Sequence, residues 1–254
     1  MGQKFPSDQL PQRGQSLKVP FTAIVFIRLI CLQTFYFLWI VLRVSDRVGC
    51  KSFPCTDVKH DCYAIPNVVV NANNISIVMI SESAPADPND YYYASGDPLF
   101  QKTTVQAFRD AGVNVSSIMD LVRKGVYSTT AVKCGKTAYG IKSSTIKECS
   151  AILENELALF PDAKVFMLMG DLAIRAINYI AKRAGEERVI PAGPTYKIRK
   201  QEYHFRGKRV FPSYLQAGPS YFIEKGKRRM IAEDITAATT FVKWETPRHK
   251  IDLQ

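Results

Sequence analysis

The sequence predicts an α/β protein, a three-layer αβα sandwich around a mainly parallel, four-stranded central sheet. Three observations predict it. Short apolar runs such as Ile75–Ile80 (ISIVMI) and Lys164–Met169 (KVFMLM) have the length and composition of strands buried on both faces. Segments with helical spacing of apolar residues alternate with these runs, as in sheets crossed by helices on both faces. A chain of 254 residues, 46% hydrophobic, also buries a substantial core without disulfide or metal staples.

The elements follow in order. Ile75–Ser81 is the first strand, and Ser81-Glu82-Ser83-Ala84-Pro85-Ala86-Asp87 is a polar loop at its carboxyl end. In open α/β sheets ligands bind at that edge. Lys102–Ala111 has helical spacing and stops at Gly112, a C-cap glycine. Tyr127–Lys133 (YSTTAVK) is β-branched and reads as a strand. Ser144–Phe160 is the clearest helix: Ile146, Cys149, Leu153, Leu157 and Phe160 line one face, while Lys147, Glu148, Glu154 and Glu156 lie elsewhere. Pro161 ends it. After the strand Lys164–Met169, Gly170 leads into the helix Leu172–Arg183; Arg209–Phe211 is a short strand and Lys225–Ala238 a terminal helix.

The net charge of +11 favours an anionic partner, either nucleic acid or an anionic membrane surface. The basic residues cluster late, in Tyr196–Arg209 (YKIRKQEYHFRGKR) and Lys225–Arg229 (KGKRR). Aromatic residues interleave the first cluster. That pattern suits a nucleic-acid contact, and equally a hairpin around Gly207 with one buried face.

Residues 1–49 form an atypical leader before a domain spanning 50–240 and a tail at 241–254. Met1–Lys18 is polar and of disordered composition. Pro20–Leu42 is apolar for about a membrane span, with Arg28 and Gln33 inside it. It reads as a membrane or interfacial anchor, or as an extension outside the fold. A signal peptide fits poorly, because the stretch is long and no small-residue cleavage site follows. The domain is expected to be a cytoplasmic monomer, tethered to a membrane only if Pro20–Leu42 inserts.

Of six cysteines, Cys31 lies in the leader. Cys50, Cys55 and Cys62 precede the first strand, Cys134 ends the Tyr127–Lys133 strand, and Cys149 follows on the helix. Two pairs flanking a strand–loop–helix region suit a metal or iron–sulfur cluster. Buried free thiols are the competing reading, since these intervals match no standard zinc spacing.

Taken in order, these pieces resemble the uracil-DNA glycosylase superfamily, especially its iron–sulfur branch. Glu82-Ser83-Ala84-Pro85-Ala86 resembles the first motif, Gly-Glu-Ala-Pro-Gly or Gly-Leu-Ala-Pro-Ala. Gly96-Asp97-Pro98-Leu99-Phe100 resembles the segment that supplies an aromatic partner for a flipped base. Thr129-Thr130-Ala131-Val132-Lys133-Cys134 is similar to the Thr-Asn-Val-Val-Lys-Cys strand. Phe211-Pro212-Ser213-Tyr214-Leu215 is similar to His-Pro-Ser-Tyr-Leu, and Glu233-Asp234-Ile235 to the closing helix. The resemblance covers Cys55 to Ile235. It implies a DNA-repair glycosylase that extrudes a damaged or deaminated base, uracil by default, and hydrolyses its N-glycosidic bond. It also implies a [4Fe–4S] cluster on Cys55, Cys62, Cys134 and Cys149. Cys50 is the alternative, because the family's first pair is closer together than Cys55 and Cys62.

The chemical positions depart from the family pattern. Aligned on Pro85, the water-positioning residue falls on Ser83, and Glu82 takes the place of the usual glycine. The base-reading Asn falls on Thr130, which cannot make an amide's paired donor–acceptor contact. The His of the Pro-Ser motif is Phe211, which has no proton to give. Glu82 and Ser83 are the catalytic candidates, Glu82 as a replacement acid or as a solvated loop residue. Ala84, Pro85, Ala86, Phe100, Thr130, Phe211 and Ser213 are the candidate substrate and DNA contacts, Ser213 resembling a phosphate-gripping serine. Tyr91–Tyr93 either stack on a base or pack, and Asp87 and Asp90 read as helix caps. A catalytically silent iron–sulfur module that binds nucleic acid is the second reading, favoured by the missing Asn and His.

Overall fold

The computed structural model describes residues 41–137 and 140–244. Most of the apolar stretch Pro20–Leu42 and of the tail 241–254 lies outside them. Val41–Arg43, which the sequence reading assigned to the leader, forms strand β1 and pairs antiparallel with β3 (Val69–Asn71). Among the described residues no helix is long and apolar enough to cross a membrane.

The central sheet contains β2 (Val58–Lys59), β4 (Ile77–Ala84), β5 (Val126–Lys136), β6 (Val165–Met169), β7 (Tyr203–Phe205) and β8 (Lys208–Ser213). Its order is β2-β5-β4-β6-β8-β7. The inner four strands are mutually parallel, as the alternation of runs predicted. The sheet has six strands rather than four, because two short antiparallel strands cover its edges. β7 reaches β8 through Arg206 and Gly207, at φ 50° and 75°. Two successive residues in that region make the tight turn whose twist matches a hairpin. The hairpin reading of the basic cluster therefore holds here. β2 is too short to leave a hydropathy pattern.

Helices cover both faces. On one face α3 (Ser143–Leu157) and α4 (Asp171–Arg183) lay Ile146, Leu153, Ile177 and Ile180 over Val78, Ile80, Phe166 and Leu168. On the other, α1 (Leu99–Asp110), α2 (Ile118–Arg123) and, later in the chain, α7 (Lys225–Phe241) bury Phe108, Leu121, Ile231 and Ile235 against Ile77, Met79, Val165 and Met167. Two further single turns, α5 (Thr195–Ile198) and α6 (Ser220–Ile223), connect the later elements. α1 stops as expected: Gly112 at φ 81° lets the Val113 amide reach back to Phe108 O at 2.9 Å.

Two elements extend further than their sequence patterns. β4 runs to Ala84, so Glu82 and Ser83 belong to a strand and not to a loop; Ser83 pairs with Val132 and Ala84 with Gly135 across an irregular register. Pairing with the long β5 holds these polar residues extended. Glu156 departs from its expected place off the buried face of its helix, being fully buried beside Lys133.

Candidate functional site

The carboxyl ends of β4, β6 and β8 enclose a cleft of about 190 Å³, walled by Glu82, Gly170, Ser213, Tyr214 and Lys227 among others. Residues at these ends converge because parallel strands all finish on one edge. Glu82 projects into this cleft, and its Oε2 lies 2.7 Å from Lys136 Nζ at the end of β5. Gly170 makes room for it. A Cβ there would stand 2.7 Å from both Glu82 Cγ and Oε1, and φ is +103°. Both constraints demand glycine at this position.

Ser83 points elsewhere and is buried. Of the two catalytic candidates from the sequence, only Glu82 lines the cleft. Ala84 and Pro85 are buried and Ala86 is exposed. Gly135 lets this turn pack closely, since a Cβ there would approach Pro85 O and Cys62 Cβ at 2.8 Å.

Thr130 is fully buried beside Ser81 in the β4–β5 register, and its hydroxyl has no hydrogen-bond partner among the described residues. Phe211 is buried beneath the Arg209 guanidinium, 4.5 Å from the ring centroid. Phe100 is half-buried, 5.3 Å from Tyr92. Tyr91 and Tyr92 belong to the core, and the Tyr93 hydroxyl accepts from the Ser128 amide at 3.0 Å. Burial raises the Tyr92 and Tyr93 hydroxyls far above their usual range. Asp87 caps the following turn through Asn89 N (2.9 Å), and Asp90 caps α1 through Leu99 N (3.2 Å).

Ser213 donates to buried Asp234 at 2.5 Å. Arg199 grips the same carboxylate from Nη2 at 2.6 Å and Nε at 3.0 Å. Burial raises the Asp234 carboxyl, and Arg199 and Ser213 act against that shift. Ser213 is thus tied to α7 rather than free in the cleft. The sequence offered no signal for this chain, because its members lie on three separate elements.

Sequence reasoning also missed Gln216. Fully buried, it donates to Ser81 Oγ and Tyr92 OH at 3.1 Å and to Thr104 Oγ1 at 3.3 Å. Nothing in its local sequence marks it.

Beside β5, Cys134 and Cys149 are buried and Cys50 and Cys55 half-buried, all as free thiols. Burial pushes the Cys134 thiol up to about 12, helped by the charges of Cys149, Cys50, Cys55 and Cys62 in that order. Tyr63 stands in the same neighbourhood, its hydroxyl accepting from the Cys50 amide at 2.7 Å. Cys62 instead donates to Ala86 O at 3.1 Å. Asp57 anchors this segment to α3, accepting from Lys142 N at 2.6 Å and from Thr145.

Among the described residues no group of three or more His, Cys, Asp or Glu side chains is placed to hold a metal ion. A single ion needs its thiolates within about 2.3 Å of one point. Thiolates are the usual ligands of iron–sulfur clusters, and Cys50, Cys55, Cys62 and Cys149 around Cys134 supply donors of that chemistry.

The profile of the Uracil DNA glycosylase superfamily matches residues 70–235. A search of curated proteins returns no match.

Proposed function

The chain belongs to the uracil DNA glycosylase superfamily, and we propose that it is a DNA-repair glycosylase. It flips a damaged or deaminated base, uracil by default, out of DNA and hydrolyses the N-glycosidic bond. The carrying observation is Glu82 on the wall of the strand-end cleft, paired with Lys136 at 2.7 Å.

Base excision needs a placed water, a counter-charge for the oxocarbenium-like sugar, and stabilisation of the departing base anion. The Glu82 carboxylate would orient the water toward C1′ and face the positive charge that develops there. Lys136 would hold that carboxylate in place and lend positive charge to the base anion or a neighbouring phosphate. The C1′–N bond breaks, the water oxygen bonds to C1′, its proton passes to Glu82 or solvent, and the base leaves. Lys227 on the same wall suits a phosphate contact.

We assign a [4Fe–4S] cluster to Cys55, Cys62, Cys134 and Cys149, with Cys50 as the alternative. Bound there, the cluster would supply a covalent brace between the segment around β2, the end of β5 and α3. Tyr63 and Asp57 would hold that segment in place. The partner is DNA, and the protein acts as a cytoplasmic monomer.

A catalytically silent DNA-binding module is the second reading, favoured by Ser213 being engaged by Asp234 and by Phe211 lacking a donor. One experiment decides. The full chain, purified without oxygen, is incubated with oligonucleotides carrying uracil, hypoxanthine or xanthine and then treated with alkali. Strand breaks that vanish in Glu82→Gln support the glycosylase; intact DNA binding without breaks on any substrate establishes the silent module.

A further inference from the structure

A second cleft, of about 360 Å³, lies along α4 and shares no lining residue with the strand-end cleft. Its walls are Arg175, Asn178, Tyr179 and Lys182 from the helix, with Glu186 and Arg188 from the loop that follows. Residues 175, 178, 179 and 182 fall on one helical face by their spacing. The opposite wall is pinned. Asn178 donates to Ile190 O at 2.9 Å and accepts from Ile190 N at 3.0 Å, which fixes the loop against the helix. Arg188 Nε donates to Ile190 O at 2.8 Å, so its position is set while its terminal nitrogens have no partner among the described residues.

Charge in this cleft is unbalanced. Among the described residues neither Lys182 nor Arg188 pairs with a carboxylate, while Arg175 meets Asp171 at 3.6 Å and donates to Ser143 Oγ at 2.6 Å. The single acid of the cleft, Glu186, is bound to Arg206 at 2.9 Å. Three cations facing one concavity repel one another, and a bound anion relieves that repulsion. Two guanidinium forks and an ammonium are the side chains that grip phosphate, and the half-buried Tyr179 ring gives a flat surface beside them.

We propose that this cleft binds a phosphorylated small molecule of nucleotide size, its phosphates held by Lys182, Arg188 and Arg175 and its flat ring against Tyr179. The volume lies in the range of small-molecule sites, roughly 300–1,000 Å³. Lys182 stands eleven residues after Asp171, about 16 Å along the helix from the strand-end cleft.

The test is calorimetric titration of the full chain with ATP, pyrophosphate, adenosine and sulfate at constant ionic strength. It is repeated on the double variant Lys182→Ala with Arg188→Ala, checked for folding by circular dichroism. Affinity for uracil-containing DNA is measured in parallel. The expected result is ATP binding, weaker pyrophosphate binding, little response to adenosine or sulfate, and at least a tenfold loss of ATP affinity in the variant with DNA affinity unchanged. No ATP binding, or ATP binding equal in variant and parent, overturns the proposal. Parallel loss of ATP and DNA binding overturns it in favour of a DNA contact. Adding Tyr179→Ala to the parent separates ring from phosphate recognition: it should weaken ATP several-fold and leave pyrophosphate unchanged.

Discussion

Glu82 rests against Gly170, the two joined across the ends of β4 and β6 so closely that a Cβ on the glycine would fall 2.7 Å from the carboxylate oxygen. The acid is thus placed by the residue that follows β6, about ninety residues later in the chain. Gly170→Ala should turn Glu82 away from Lys136 and strain a backbone held at φ +103°. We expect excision in single-turnover assays to fall about a hundredfold, the range of a lost general base. Binding to DNA that carries an abasic site should change little. Unaltered excision would remove Glu82 from the chemistry.

Lys133 and Glu156 form an ion pair with no exposure on either side chain, and Tyr127 and Thr129 donate to the same carboxylate at 2.6 and 2.8 Å. Glu156→Gln leaves the lysine charge buried without its counter-ion, which should cost about 3–5 kcal/mol. Lys133→Met with Glu156→Leu removes both charges and should cost distinctly less. Urea midpoints at constant m-value measure the difference. Equal losses in the two proteins would show that packing, not charge, is what the pair supplies.

Cysteine variants separate the proposed ligands. Cys62→Ser should lower the iron content and the absorbance near roughly 400 nm of protein purified without oxygen. Cys50→Ser should keep both. The reverse pattern would put Cys50 in the ligand set, and a colourless parent protein would leave the thiols free.

Asp110 bridges α1 to the later elements, taking Arg228 Nη2 at 2.7 Å and the Tyr221 hydroxyl at 2.6 Å. The Arg228 hydrogen bonds hold its carboxyl down at about 2, against an ordinary value near ~3.9. Its folded pKa is depressed, so the stability it supplies is complete above pH ~4 and is lost as pH falls toward about 2. We expect about 1–2 kcal/mol, reduced from the full shift by solvent screening. Asp110→Asn should flatten that part of the pH–stability curve, measured by thermal melts between pH 2 and 5. A curve of unchanged slope would assign the acid sensitivity to other carboxylates.

The sequence by itself determined the layers and the central strands. β-branched and aliphatic runs have one stable solution, burial on both faces of a parallel sheet, and their hydropathy is local enough to read. Ile75–Ile80, Tyr127–Lys133 and Lys164–Met169 are all core strands for that reason. The order of short motifs also carried the family, since it depends on residue identity alone. Only the tertiary structure decided which side chains meet. It put Glu82 rather than Ser83 in the cleft, because strand pairing through Ala84 alternates their faces. It engaged Ser213 with Asp234 and Arg199, and it made Glu156 the buried partner of Lys133. It gathered Lys182 and Arg188 around a cleft by pinning one loop through Asn178. None of these contacts follows the spacing of a helix or a strand, so no periodicity records it. Hydropathy sets which surfaces are buried, and packing sets which polar groups face one another.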